Sequence, residues 1–543
     1  MAHIMTKRLL ASFAALTLAG AASCVNLTEV PVTGITNAYY STAAGFDAAA
    51  NACYEPLRTF WARERGATMT VFGTDEYQKG ADGSYKFFND YTPDLNGNVD
   101  FIAGTWSDLY AGINTCNTVI GRAPTADVPA AKQTLRAAEA RFLRAMYLFT
   151  LVRTYGDVPL PLDEIVGLPP VANRVPVAQV YDQIVSDLKF AEANLPNTAA
   201  DYGRATQPAA QHLLALVYLT RAGTAASSPD FALAAAEAKA VIANTSFGLV
   251  PRYKDIFDFS NKKNKEIIFA IQFTADPLTT GVGNELHLYW GFPYDLEPGM
   301  VRDIANGRPF KRFRPTAYLL SLWDRTKDIR FDDMHKQTWF ANNAANLPKD
   351  PSGNPKFLVG DTSIFFPGRE YSAAERAATR YKVYSPSQYG DAVFPVLNKY
   401  LDPARLSTNE TRGSRDFIMM RLAETYLIAA EALYRDGKPA EALTYVNAVR
   451  TRAARPGQEA AMQVTAGQLS VDFLLDERAR ELTGEIMRWF DLVRTGKLVE
   501  RVTLYNPGGA PNIKPYHVLR PLPTQEILLN NTAGGTMKQN PGY

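Results

Sequence analysis

The sequence predicts a mainly α-helical protein: tetratricopeptide-like helical pairs forming an α-superhelical scaffold, with an irregular, loop-rich insert carrying short strands. Three observations predict it. Long segments on both sides of the middle place apolar residues at three- and four-residue steps, the period of an amphipathic helix. Neighbouring helices are joined by short turns, with small residues where the partners meet. The stretch from about 251 to 413 breaks this pattern and is rich in Gly, Pro, Asn and aromatic residues.

The chain opens with Lys7 and Arg8, the apolar run Leu9 to Leu18, and the small residues Ala19-Gly20-Ala21-Ala22-Ser23 before Cys24. A basic start, a short apolar core and a small-residue cleavage site describe an export signal at 1–23, too short to span a bilayer. A cysteine at the first mature position adds the thiol that accepts a diacylglyceryl group, so Cys24 is the expected lipidation site. The alternative is a secreted protein with an incidental Cys24. Ala21 stands where such sites usually carry Leu, and only Glu29 supplies acid after the cysteine.

The helices follow in order. Ala130 to Thr154 repeats Leu135, Ala138, Phe142, Ala145, Met146, Phe149 and Val152 on one face, and Gly156 and Pro159 stop it. Further helices are expected over Pro176 to Asn194, Gln207 to Arg221, Phe231 to Asn244, Phe417 to Arg435, Pro439 to Arg452 and Val471 to Leu492. In the pair around Gly437, that glycine makes the turn, while Ala430, Leu433 and Ala442 let the two helices approach. Within the insert, Glu266 to Ile271 reads as a strand. So long and aromatic an irregular segment is expected to carry function rather than to be disordered.

Composition excludes several classes of function. The 543 residues carry a formal net charge of +2 and 46% hydrophobic residues, which gives no reason to invoke nucleic acid. The five histidines, His3, His212, His287, His335 and His517, lie far apart without metal-ligand spacing. H-E-x-x-H, C-x-x-C, G-x-S-x-G and phosphate-loop patterns are missing, so no catalytic residue, metal or cofactor is predicted. Cys53 and Cys116 are expected as buried thiols, with a disulfide as the alternative.

Aromatic clustering is the positive signal. Tyr289-Trp290-Gly291-Phe292-Pro293-Tyr294 packs rings into a segment broken by Gly and Pro. Such rings can stack on the C–H faces of sugars while nearby polar groups bind hydroxyls. Tyr289, Trp290 and Tyr294 are therefore the expected ligand contacts. Tyr77 joins them from a second aromatic region that also holds Trp61 and Tyr85. Trp323 and Trp339 are expected to be structural.

Five segments in order carry a family resemblance: ITNAYYSTAAGFDAAANACYEPLR with TWSDLYAGINTCNTVI; EARFLRAMYLFTLVRTYGDVPL; RLAETYLIAAEAL; ERARELTGEIMRWFDLVRTGKL; and the ending LRPLPTQEILLNN…QNPGY. Over essentially its whole mature length the chain resembles the SusD/RagB family of outer-membrane nutrient-uptake lipoproteins. Ile486 departs from the pattern, standing where the family often has Gly. The resemblance implies a helical region over 24–250 and a second region over 251–543. The latter comprises a ligand face at 251–413, helices at 414–500 and a tail at 501–543. It also implies a non-enzymatic protein, lipid-anchored in the outer membrane and facing the exterior, that captures oligosaccharides for a SusC-like TonB-dependent transporter. Peptide binding, a helical glycoside hydrolase and a pure transporter scaffold are the alternatives. Glu477, Arg478, Glu481, Glu485 and Arg488, at helical spacing, are expected to form structural ion pairs rather than a catalytic set.

Overall fold

The computed structural model describes residues 39–167 and 171–543; the export signal and Cys24 lie outside them. The first elements are α1 (Ala43–Ala52), whose Thr42 side chain accepts from the Gly45 N–H, and α2 (Glu64–Thr70). Then come the long α3 (Asp100–Arg122) and α4 (Ala130–Tyr155), α5 (Val177–Asn194), α6 (Gln207–Ala222) and α7 (Pro229–Ala243). After the insert follow α8 (Leu422–Arg435), α9 (Pro439–Arg452), α10 (Val471–Leu482) and α11 (Arg488–Arg494).

The helices from α3 to α9 stack in sequence, each on the next, and α7 packs on α8 although more than a hundred residues separate them. Burial explains the order. Ala430, Ala442 and Leu433 are fully or almost fully buried in the α8–α9 contact, and Gly437 turns between them with φ +75°. Within the stack Arg144 of α4 is buried, bound to both carboxylate oxygens of Asp187 at 2.8 Å and to Asn117 Oδ1 at 2.7 Å. Cys53 and Cys116 are buried thiols of the same core.

Two helical expectations need correction. The segment from Phe417 to Arg421 is a strand, β4, and the helix begins at Leu422. β4 pairs antiparallel with β2 (Ile267–Ile271), so the apolar side chains that read as a helix face are buried by a sheet partner. The expected helix from Val471 to Leu492 is α10 and α11 with a break between them, where Gly484 and Ile486 both have positive φ (+74° and +59°). A β-branched residue in this region is uncommon, and Ile486 holds the conformation while buried.

The break aims Glu485 into a buried ion network. Arg421 donates to Glu481 (2.7 Å), Glu266 (2.9 Å) and Glu485 (2.8 Å), and Lys399 reaches Glu485 at 2.8 Å. Arg330 joins Glu477 (2.8 Å) and Glu481 (3.0 Å), and Arg452 also binds Glu481. Breaking one such buried pair costs about 3–5 kcal/mol because it strands the other charge. Arg478 bonds Asp491 at 2.8 Å and Glu424 at 3.2 Å. The charged set expected to be structural is therefore buried and paired throughout.

The insert is tied to the N-terminal segment by β1 (Tyr77–Lys79), antiparallel to β3 (Phe313–Pro315). Farther out it has a small core of its own, holding Phe292, Tyr294, Trp339 and Phe366, with Phe292 edge-on to Trp339 and Phe366, behind a short sheet built from 338–340, 362–365 and 382–383. Trp323 and Trp339 are buried, in keeping with structural roles.

Candidate functional site

A cleft of about 460 Å³ opens where the N-terminal segment meets the insert. One wall comes from the start of α2 and the start of α3, with Arg63, Glu64, Arg65, Asp100 and Phe101; the other comes from the insert, with Glu285, Tyr289, Phe310 and Arg312. Local backbone sets both walls. Ala62 has φ +64°, and its carbonyl accepts the Glu285 N–H at 2.9 Å, so the turn into α2 is pinned to the insert. On the insert side, Phe310 N–H bonds the Leu288 carbonyl (2.8 Å), and the Arg312 and Phe313 N–H groups bond Tyr289 (3.1 Å each). This backbone pairing stands Phe310 and Arg312 beside Tyr289.

The polar groups are fixed by one another. Arg63 pairs with Glu285 at 3.1 Å, and Tyr289 Oη donates to the other oxygen of that carboxylate at 2.8 Å. Arg312 pairs with Glu64, and its guanidinium lies 5.1 Å from the ring centroids of both Tyr289 and Phe310. Burial pushes the Glu64 carboxyl up against the attraction of Arg312, and Glu285 and Asp82 add to the push. Arg65 binds Asp108 (2.5 Å) and the Thr59 carbonyl (2.6 Å).

Phe101 gives the cleft its aromatic surface. It stacks on Tyr85 with centroids 3.8 Å apart and planes at 19°, and Tyr85 Oη donates to Asp100 at 2.8 Å. Both rings are half-buried. Burial and that hydrogen bond push the Tyr85 phenol up to about 12, so it stays a donor.

Three of the four expected aromatic contacts are buried away from the cleft. Trp290 is 2% exposed, edge-on to Tyr77 at 4.7 Å and near Phe313 at 4.9 Å; Tyr77 itself is 1% exposed. Tyr294 is 1% exposed and donates its hydroxyl to the Gly307 carbonyl at 2.8 Å. The void beside Trp290 and Tyr294 measures about 10 Å³, room for a water but not a sugar. Gly291 and Pro293 turn the chain so that its rings enter two different cores, rather than holding them out to solvent. Tyr289 lines the cleft, but it is 2% exposed and acts chiefly by orienting Glu285.

The charged residues of the cleft were not singled out from the sequence. Arg63 and Glu285, like Glu64 and Arg312, pair across more than two hundred positions, and only Tyr289 and Tyr85 pointed near. Among the described residues, no group of three or more His, Cys, Asp or Glu side chains is placed to hold a metal ion, and no helix is long and apolar enough to cross a membrane.

Comparisons with known proteins agree on one family. The model described as the SusD family matches residues 265–543, and one described as starch-binding and associating with the outer membrane matches 53–219. SusD-like protein P2 of Formosa agariphila is 30% identical, covering 97% of this chain and 98% of its own. Starch-binding protein SusD of Bacteroides thetaiotaomicron is 27% identical, over 76% of this chain and 73% of its own. Among solved structures, one titled a laminarin-binding SusD-like protein superposes with a TM-score of 0.69 at 24% identity, covering 93% of this chain and all of that one.

Proposed function

Since the chain belongs to the SusD family, we propose that it is a non-enzymatic glycan-binding protein of the outer-membrane surface and that the cleft between α2 and the insert holds the oligosaccharide. The observation that carries this reading is the pairing of a half-buried aromatic surface, Phe101 backed by Tyr85, with side chains already locked in position. A sugar presents a C–H face to the ring and hydroxyls to carboxylates and guanidiniums, and a preorganised site spends little on ordering them. Relatives named for starch and laminarin make glycans the first ligands to test.

Delivery to a SusC-like TonB-dependent transporter, with lipid on Cys24 keeping the protein at the outer face, completes the proposal. A triacylated cysteine supplies the several chains that stable anchoring needs. Both Glu64 and Glu285 are tied to arginines, which favours binding over acid catalysis. The cleft is lined by charged and aromatic side chains, the groups that meet a glycan's hydroxyls and C–H faces. The decisive experiment is calorimetric titration of the mature protein with a panel of glycans and peptides, alongside an assay for released reducing ends. Glycan binding without hydrolysis is expected; binding of peptides alone, or release of reducing ends, would overturn the reading.

A further inference from the structure

The charges around the cleft can be counted one by one. Its lining holds three guanidiniums, Arg63, Arg65 and Arg312, and three carboxylates, Glu64, Glu285 and Asp100. Each guanidinium is already taken: Arg63 by Glu285 (3.1 Å), Arg312 by Glu64, and Arg65 by Asp108 (2.5 Å). Asp100 has a neutral partner, the Tyr85 phenol at 2.8 Å. The lining is thus balanced, three carboxylates against three guanidiniums, with Asp108 and Asp82 standing just outside it. Arg308, outside the lining, is held by the Asn409 carbonyl at 2.7 Å and lies 5.0 Å from the Phe310 ring centroid.

A site for a uronate, sialate or sulfated sugar needs a cation whose charge is not already spent. The lining of this cleft offers none: each of its guanidiniums is paired with a carboxylate, and the paired carboxylates can still accept from a hydroxyl. We infer that the cleft selects uncharged oligosaccharides and excludes anionic ones, with Glu64 and Glu285 as the residues that set this choice. The inference rests on the glycan-binding reading. Chemically, a neutral polyol fits because each hydroxyl both donates and accepts. It can bridge a carboxylate and its paired guanidinium without breaking the pair. An anionic group would have to displace Glu64 or Glu285 from its arginine, stranding a partly buried carboxylate.

The test is titration with neutral β-glucan and xyloglucan oligosaccharides against oligouronates and a sulfated oligosaccharide of matched length, at low and at physiological salt. Neutral ligands are expected to bind at least about tenfold more tightly than anionic ones, with an affinity that salt leaves almost unchanged. The double substitution Glu64→Gln, Glu285→Gln releases two guanidiniums and is expected to raise affinity for the oligouronate while lowering it for the neutral ligand. Circular dichroism and thermal melting verify that the variant is folded. Tighter binding of the anionic ligands by the unaltered protein would overturn the inference and leave the glycan-binding reading standing. Failure to bind any oligosaccharide of either class would overturn both.

Discussion

Arg488 grips Asp75 with two guanidinium nitrogens, at 2.8 and 2.6 Å, across 413 residues of sequence. Both side chains are buried, and Arg501 approaches the same carboxylate at 3.2 Å. The pair fastens α11 to the segment that leads into β1, and so holds the N-terminal wall of the cleft against the helical body.

Arg488→Ala leaves Asp75 buried with only Arg501 to answer it. A loss of about 3–5 kcal/mol of stability is expected, measured by denaturant unfolding. The double variant Asp75→Asn, Arg488→Met, which removes both charges, is expected to recover part of that loss. If it were no more stable than Arg488→Ala, the buried-charge account would fail.

Glu76, beside this pair, behaves in the opposite way. Burial pushes its carboxyl up to about 8 against the attraction of Arg488, and Asp75 adds to the push. A raised carboxylate contributes stability that is fully present below its unfolded value near 4.5 and is lost as pH rises through about 8. Glu76→Gln is therefore expected to melt higher than the unaltered protein at pH 9 and close to it at pH 4. Parallel melting curves of the two proteins across that range would refute the assignment.

At the acid end the buried network dominates. Burial alone would raise the Glu481 carboxyl, but Arg452, Arg421 and Arg330 together hold it down at about 2. Its stabilisation is present above the unfolded value near 4.5 and disappears as pH falls towards 2. Glu481→Gln should cost about 3 kcal/mol at neutral pH and flatten the acid limb of the stability profile, which a pH series of urea melts would reveal.

Phe101 and Trp290 separate binding from folding. Phe101→Ala removes the ring facing the cleft and is expected to weaken glycan affinity about tenfold, with melting temperature little changed. Trp290→Ala empties a core position and is expected to cost about 3–5 kcal/mol of stability. Calorimetry and melting on both variants distinguish the two roles; a Trp290→Ala protein of normal stability that bound no glycan would restore the tryptophan to the ligand face.

Much of the scaffold was legible because its signals are local. Ala430, Leu433, Gly437 and Ala442 lie within one helical hairpin, and their spacing alone gives the packing. The strand at Phe417–Arg421 was not legible, because its partner Ile267–Ile271 lies about a hundred and fifty residues upstream and its apolar side chains run straight into a helix. Ile486 concealed the break between α10 and α11, since a β-branched residue gives no sign of a left-handed turn. At the site, the same hydrophobicity that makes Trp290 a good sugar platform makes it a better core residue. Arg63 and Glu285, 222 positions apart, become a pair only in the folded chain.

The β2–β4 ladder has a consequence for how such a protein can diversify. It brings Ile267 alongside Arg421, so the chain leaves the helical stack and returns to it at one doorway, while Arg330 and Lys399 in between stay pinned to the buried network. Lengthening a segment whose ends are already clamped costs little, about 0.6 kcal/mol of closure entropy for each doubling. Insertion or deletion can therefore rewrite the binding loops while α7 still finds α8, provided that Arg330 and Lys399 keep their places in the buried network.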